Sequence, residues 1–133
     1  SDAKKMSKFL KDMNIKIDKV LCSNAIRAKE TFDLTADGFN FEIDKATYLD
    51  KLYFGDTTII IKDLKELDES LNNILIVGHN PTLHYLVEIL TNESINRFTT
   101  CNLATISHNG EWVSLNSQQC SLKSLIRPKE LNN

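Results

Sequence analysis

A buried strand that leads directly into a helix is the feature of this sequence that most restricts its fold. Residues 74–77 read Ile-Leu-Ile-Val, and such an apolar run predicts a strand that is covered on both faces. Gly78 ends the strand, and we predict that Asn80 caps the following helix with Pro81 at its first position. A covered strand followed at once by a helix is typical of the parallel sheet of an α/β domain.

Helices and strands alternate over most of the chain, and strands alone are predicted near its end. The predicted elements are a helix over 2–13, a strand at 20–22, a helix capped by Ser23 or Asn24 and running to about Leu34, a strand at 41–43, a helix capped by Asp56 or Thr57, a helix after Pro81, and strands at 103–107, 112–115 and 122–126. Asn109-Gly110 predicts a hairpin turn between the first two of the last strands. We therefore predict one α/β domain over residues 1–133, a three-layer sandwich whose mainly parallel central sheet has helices on both faces and a C-terminal β-hairpin.

Composition narrows the classes of function. Of the 133 residues, 41% are hydrophobic, which is enough for a core, and the net charge of -2 offers no basic surface for nucleic acid. No run approaches the about 20 apolar residues of a membrane span, and residues 1–5 do not resemble a signal peptide. The three cysteines are too widely spaced for a zinc site. We expect a cytoplasmic protein with reduced thiols, no metal, and neither nucleic acid nor membrane as partner.

Arg27 lies at the first of two strand–helix junctions that could carry chemistry. It falls in the first turn of its helix, where free backbone N–H groups already create partial positive charge. A cation at this place is unfavourable unless the cation and the helix end bind the same anion. Arg27 and the helix end would therefore form an oxyanion site. The equal alternative is that Arg27 is solvated or pairs with Glu30. A cysteine phosphatase does not fit, because Cys22 and Arg27 are one residue too close together and no glycine lies between them.

His79 lies at the second junction, between the buried strand and the next helix. An imidazole in this place can donate a hydrogen bond to a phosphoryl oxygen and pair with its charge. A lone histidine is more often a core residue held by a carbonyl, but the Gly-x-Asn-Pro exit favours the binding interpretation here. His84 and His108 are expected at the surface, and the acidic residues between 63 and 69 are expected to form a solvated helix face.

Together these motifs resemble the histidine phosphatase superfamily, in particular its SixA-type phosphohistidine phosphatase branch. The motif S-x-x-x-R-A-x-x-T corresponds to residues 23–31, and V-G-H-N-P corresponds to residues 77–81. Further matches to the small SixA-type branch lie at Leu52-Tyr53, at 100–104 and at 128–131. The motifs follow in order over nearly the whole chain, so the resemblance implies a phosphoglycerate mutase-like fold.

The sequence departs from the family at its N-terminal end. The family's first strand ends in Arg-His-Gly or Arg-His-Ala, and this histidine is the phosphorylated nucleophile. No Arg-His dipeptide occurs in the sequence, which opens within what corresponds to the first helix. We therefore expect residues 1–133 to be an N-terminally incomplete and inactive domain. Many relatives carry a glutamate as proton donor where this chain has Lys51, before Phe54-Gly55, so the adjacent Asp50 is only a weak candidate for the general acid.

The resemblance implies hydrolysis of phosphohistidine or of small phosphomonoesters through a phosphohistidine enzyme intermediate. Arg27 and His79 would bind the phosphoryl oxygens, and no cofactor or metal is implied. The partner would be a phosphohistidine-bearing protein or a small phosphorylated substrate. The alternative is a phosphate- or phosphoprotein-binding module without turnover. Both functions predict that Arg27 and His79 converge on one oxyanion.

Overall fold

The computed structural model of the protein describes residues 2–50, 56–99 and 101–131. Its helices are α1 (Asp2–Met13), α2 (Ile26–Thr35), α3 (Thr57–Lys65) and α4 (Thr82–Thr91), and its strands are β1 (Lys19–Ser23), β2 (Thr47–Leu49), β3 (Ile74–Val77), β4 (Leu103–Ser107) and β5 (Ser121–Ile126). Short 3-10 helices cover Ile43–Lys45, Trp112–Ser114 and Pro128–Glu130. The expectations for Lys51, Leu52-Tyr53, Phe54-Gly55 and Thr100 lie outside the described residues.

The strands form two separate groups. In the first, β1 lies between β2 and β3 and is parallel to both, so that Leu21 faces Thr47 on one side and Ile76 on the other. In the second, β4 and β5 are antiparallel, with an irregularity after Thr105. The predicted α/β class is therefore confirmed, including a parallel sheet and a C-terminal antiparallel pair.

Two apolar clusters cover the opposite faces of the sheet layer. Successive residues of β1 alternate between them, as expected for a strand buried on both sides, with Val20 in one cluster and Leu21 in the other. The Val20 cluster includes Leu10 of α1 and Phe32 of α2, whereas the Leu21 cluster includes Ile60 of α3 together with residues of α4. The helices thus form an outer layer on each face, which gives the predicted three-layer arrangement.

The predicted hairpin at Asn109-Gly110 and the strand after it are wrong. β4 pairs with β5, and the intervening residues 112–114 form a 3-10 turn. The Glu69 carboxylate accepts hydrogen bonds from the backbone N–H groups of Trp112 at 2.7 Å and Val113 at 3.1 Å. Successive N–H groups of a strand point to opposite sides, so one carboxylate that binds both enforces a turn. The expectation that the acidic residues between 63 and 69 form a solvated helix face is therefore wrong for Glu69.

The strand predicted at 41–43 lies instead at Thr47–Leu49. The apolar side chain of Phe41 does not belong to a strand but packs against Phe32, with ring centroids 6.2 Å apart. The hydroxyl of Tyr48 in β2 donates to the Ile43 carbonyl at 2.8 Å and ties the strand to the preceding 3-10 turn.

No helix within the described ranges is long and apolar enough to cross a membrane. The cytoplasmic location stays a prediction.

Candidate functional site

The carboxyl ends of β1 and β3 lie side by side, since Cys22 pairs with Val77 in parallel register. β1 ends at Ser23, and the chain then turns into α2, whose first turn contains Arg27. β3 ends at Val77, and His79 follows it by two residues. Ligands of α/β sheets bind at the carboxyl edge of parallel strands, and both predicted site residues are found at this edge.

An open cleft of about 660 Å³ occupies this edge of the sheet. It is lined by Asn24, Ala25, Ile26, Arg27, Asp50 and His79. Arg27 is exposed and His79 is half-buried, so a cation and an imidazole face a common space that is open to solvent. Ile26, whose surface is 74% exposed, adds an apolar side chain to the same cleft.

A buried serine contacts the site histidine. The Oγ atom of Ser23 lies 2.9 Å from Nε2 of His79 and accepts a hydrogen bond from the backbone N–H of Ala25 at 3.2 Å. Burial lowers the pKa of His79 below its usual value of 6.5, because the charged imidazolium loses water. Sequence reasoning missed this contact, although a small hydroxyl residue at the end of a buried strand was a signal for it.

Asn24 and Asp50 bring an amide and a carboxylate to the cleft. The side-chain amide of Asn24 donates to a carboxylate oxygen of Asp50, and the backbone N–H of Asn24 donates to the Leu49 carbonyl at 3.3 Å. The predicted capping of α2 by Ser23 or Asn24 is wrong, because these side chains bind His79 and Asp50. The helix begins at Ile26 without a side-chain cap.

The predicted start of α4 is also wrong, by one residue. The helix begins at Thr82 and is preceded by Pro81, so Pro81 is not its first residue. Asn80 does not cap the helix, because its side-chain amide donates to the Phe98 carbonyl. The carbonyl of His79 accepts from the N–H of Leu83 at 2.9 Å, which ties the backbone of the site histidine to the first turn of α4.

The two other histidines lie away from the cleft. Nε2 of His84 lies 2.8 Å from the Ile95 carbonyl oxygen and 3.4 Å from the Glu88 carboxylate. His84 is therefore half-buried and holds the segment after α4, which corrects its expected surface position. Nε2 of His108 lies 2.9 Å from the Glu111 carbonyl oxygen, so His108 is bound within its turn rather than solvated.

Cys22 does not have the character of a nucleophile. Its side chain is fully buried, and burial raises the pKa of the thiol to about 11, with a smaller contribution from the Asp33 charge. The thiol is then protonated at neutral pH, whereas attack requires the thiolate. Within the part of the chain that the structure describes, no group of three or more His, Cys, Asp or Glu residues could hold a metal ion.

Two curated proteins are similar to this chain over most of its length. The uncharacterized protein ML1117 of Mycobacterium leprae (strain TN) is 31% identical in an alignment 122 positions long, and the match covers 85% of this chain and 73% of that protein. Phosphohistidine phosphatase SixA of Escherichia coli (strain K12) is 27% identical over 108 residues, which are 80% of this chain and 67% of that protein. No protein-family model matches the chain.

One solved structure extends these similarities to the fold. The structure of the protein histidine phosphatase SixA complexed with tungstate matches with a TM-score of 0.84 and 27% sequence identity. The match covers 98% of this chain and 81% of that chain. The chain therefore shares its arrangement of strands and helices with a larger protein.

Proposed function

The chain belongs to the SixA-type branch of the histidine phosphatase superfamily, and we propose that, in the intact protein, it hydrolyses phosphohistidine or a small phosphomonoester through a phosphohistidine enzyme intermediate. The observation that carries this proposal is the common cleft of Arg27 and His79 at the ends of β1 and β3. The SixA structure that matches the chain was solved as a complex with tungstate, a tetrahedral oxyanion. A phosphoryl group has similar geometry and charge, so the cleft is its natural binding place.

Arg27 and His79 would bind the phosphoryl oxygens in this cleft. The guanidinium of Arg27 is positively charged and can form two parallel hydrogen bonds. His79, protonated when the anion binds, would donate to a neighbouring oxygen. Phosphoryl transfer needs mainly positioning and charge stabilisation, which these two cations provide.

The nucleophile requires a second imidazole in the site, beside the phosphorus atom. His79 is hydrogen-bonded to Ser23, and His84 and His108 do not line the cleft. We propose that the nucleophilic histidine stands on a strand outside residues 1–133. Its nitrogen would bond to phosphorus as the leaving group departs, and water would then break the new N–P bond and release phosphate.

Two open strand edges support a place for that strand. Among the described strands, β3 pairs only with β1, and β4 pairs only with β5. Val77 of β3 and Leu103 of β4 pack on the same apolar cluster, and Ile76 and Ile106 pack on the opposite one. One parallel strand between β3 and β4 would join the two groups and end beside His79.

The open cleft favours a phosphohistidine carried by another protein as substrate. A phosphohistidine N–P bond breaks readily, so the leaving group needs little help from an acid. The only carboxylate among the described residues that line the cleft is that of Asp50, which accepts a hydrogen bond from Asn24. We keep Asp50 as a weak candidate for the acid toward phosphomonoesters.

The test compares the chain 1–133 with a version extended upstream through the preceding strand. Both are assayed on a phosphohistidine peptide and on para-nitrophenyl phosphate, and the extended version carrying Arg27→Ala is the control. We expect hydrolysis and acid-labile, alkali-stable phosphorylation of the extended version only. Equal turnover by residues 1–133 would contradict the proposal. Tungstate binding without turnover by the extended version would favour the alternative, a phosphate- or phosphoprotein-binding module.

A further inference from the structure

We propose that Ser23 is a positioning residue for His79, which fixes the neutral imidazole in the tautomer that carries its proton on Nδ1. Ser23 is the last residue of β1 and none of its surface is exposed. Its Oγ lies 2.9 Å from Nε2 of His79 and 3.2 Å from the backbone nitrogen of Ala25. The functional consequence of this arrangement rests on the proposed role of His79 in oxyanion binding.

The donors and acceptors around the serine hydroxyl determine the tautomer. The hydroxyl has one proton and two lone pairs, and the backbone N–H of Ala25 can only donate to it. The serine proton therefore needs an acceptor, since a buried donor without a partner costs free energy. Among the residues that the structure describes, Nε2 of His79 is the acceptor within reach, provided that Nε2 carries no proton. The neutral ring must then be protonated on Nδ1.

Protonation of His79 reverses the direction of this hydrogen bond. In the imidazolium both ring nitrogens donate, so Nε2–H would donate to Ser23 Oγ and the serine proton would lose its acceptor. Ser23 therefore favours the neutral ring, in the same direction as the burial that lowers the pKa of His79. Arg27 from α2 and Asp50 after β2 are the charged side chains that line the cleft with His79 among the described residues.

This arrangement gives the site a defined resting state. Before an anion binds, the ring is held in one orientation and one tautomer by a group that cannot move without disturbing β1. When a dianion enters beside Arg27, its charge favours the imidazolium, and Ser23 can accept from Nε2–H without any movement of the ring. The histidine is thus oriented in advance for the charge that it must stabilise.

The experiment reads the tautomer and the pKa of His79 directly. The nitrogen-15-labelled chain is titrated while two-bond hydrogen–nitrogen correlations of its three imidazoles are recorded, and His84→Gln and His108→Gln assign the signals. We expect Nε2 of His79 to be unprotonated in the neutral wild-type ring. Ser23→Ala should give a mixture of tautomers and raise the pKa of His79 by about half a unit or more, as loss of one hydrogen bond implies. Ser23→Thr, which keeps the hydroxyl, should restore the wild-type values.

Two further measurements separate the possible failures. Urea unfolding of each variant detects a purely structural role of Ser23. Lower stability of Ser23→Ala with an unchanged tautomer and pKa of His79 would overturn the proposal. A neutral wild-type ring that is protonated on Nε2 would also overturn it. If Ser23→Ala does not fold, Ser23→Cys replaces it, and its weaker donor should give a smaller shift in the same direction. Tungstate is then added to the wild type. If the pKa of His79 does not rise, the oxyanion role fails even where the effect of Ser23 on the tautomer stands.

Discussion

Arg27 lies in the first turn of α2 and shares the cleft with His79. Lysine in its place keeps the positive charge but loses the fork that can bind two oxygens at once. Charge-assisted hydrogen bonds contribute about 1.5–3 kcal/mol each, so we expect Arg27→Lys to weaken tungstate binding by roughly tenfold to a hundredfold. In the extended protein, turnover should fall by a similar factor. Isothermal titration calorimetry and phosphatase assays measure the two effects.

Lys29→Ala is the matched control for this prediction. Lys29 lies on the same helix, but its Nζ lies 5.2 Å from the ring centroid of Tyr48 and the residue does not line the cleft. Lys29→Ala removes one positive charge only two residues from Arg27 and should leave tungstate affinity within about twofold. Wild-type affinity in Arg27→Lys would show that Arg27 is only a surface residue.

The Cys22 thiol makes folding stability depend on alkaline pH. An unfolded thiol ionises near its usual pKa of 9.0, whereas the buried thiol has a pKa of about 11. The unfolded chain therefore releases the proton first, so the stability contributed by this thiol is complete below pH 9 and is lost as pH rises toward 11. We expect a slope of at most about 1.4 kcal/mol per pH unit in this window. Urea unfolding under reducing conditions should show a shallower alkaline loss for Cys22→Ala, and an identical slope would contradict the assignment.

Individual contacts of the site divide into those that local sequence could predict and those that it could not. Arg27 and His79 each follow a recognisable strand end, and the adjacency of those strands follows from the family's fold. The contact of Ser23 with His79 joins residues that are 56 positions apart, and that of Asn24 with Asp50 spans 26 positions. No periodic pattern contains such pairings, because they depend on how the strands align.

At the scale of elements, Gly38, in the turn after α2, lies directly against the backbone of α1. A Cβ atom on this residue would lie 2.5 Å from the backbone oxygen of Ser7 and 2.9 Å from its Cα. Backbone atoms cannot move aside as a side chain can, so we expect Gly38→Ala to destabilise the protein by about 1–3 kcal/mol. Chemical denaturation measures this change.

The exposed neighbour of Gly38 offers the control for that measurement. Asp37→Ala changes a solvated side chain and should alter the free energy of unfolding by less than about 0.5 kcal/mol. An effect of Gly38→Ala no larger than that of Asp37→Ala would mean that α1 can shift away from the turn after α2 at little cost.

The boundaries of the elements show where local pattern is sufficient. The predicted helix over 2–13 and the strand at 103–107 coincide with α1 and β4, because hydrophobic periodicity decides both. The turn at 112–114 and the start of α4 were mispredicted, because Glu69 and the Phe98 carbonyl, which are distant in sequence, bind the residues concerned. A partner from another part of the chain overrides the local preference in both cases.

At the scale of the whole molecule, β3 and β4 each have a pairing partner on one side among the described residues. Part of the apolar surface of β3 is correspondingly exposed, since Ile74, Ile76 and Val77 are only half-buried in a strand that reads as fully covered. Sequence could predict that both faces of this strand are apolar. It could not predict which of its edges pairs, because that depends on the strand that lies alongside.

A strand between β3 and β4 should therefore change the protection of a defined set of amides. In residues 1–133, the backbone N–H groups on the open edges of β3 and β4 should exchange with solvent quickly, because they lack a partner in the ladder. In the version extended upstream, hydrogen exchange should slow at both strands, and the free energy of unfolding should rise. Residues of β2, which lies on the far side of β1, should gain only the protection that greater global stability gives, and so serve as the internal reference. Increased protection confined to β4 would place the added segment away from β3, and the nucleophile could then not stand beside His79. Increased protection confined to β3 would contradict a strand that joins the two groups.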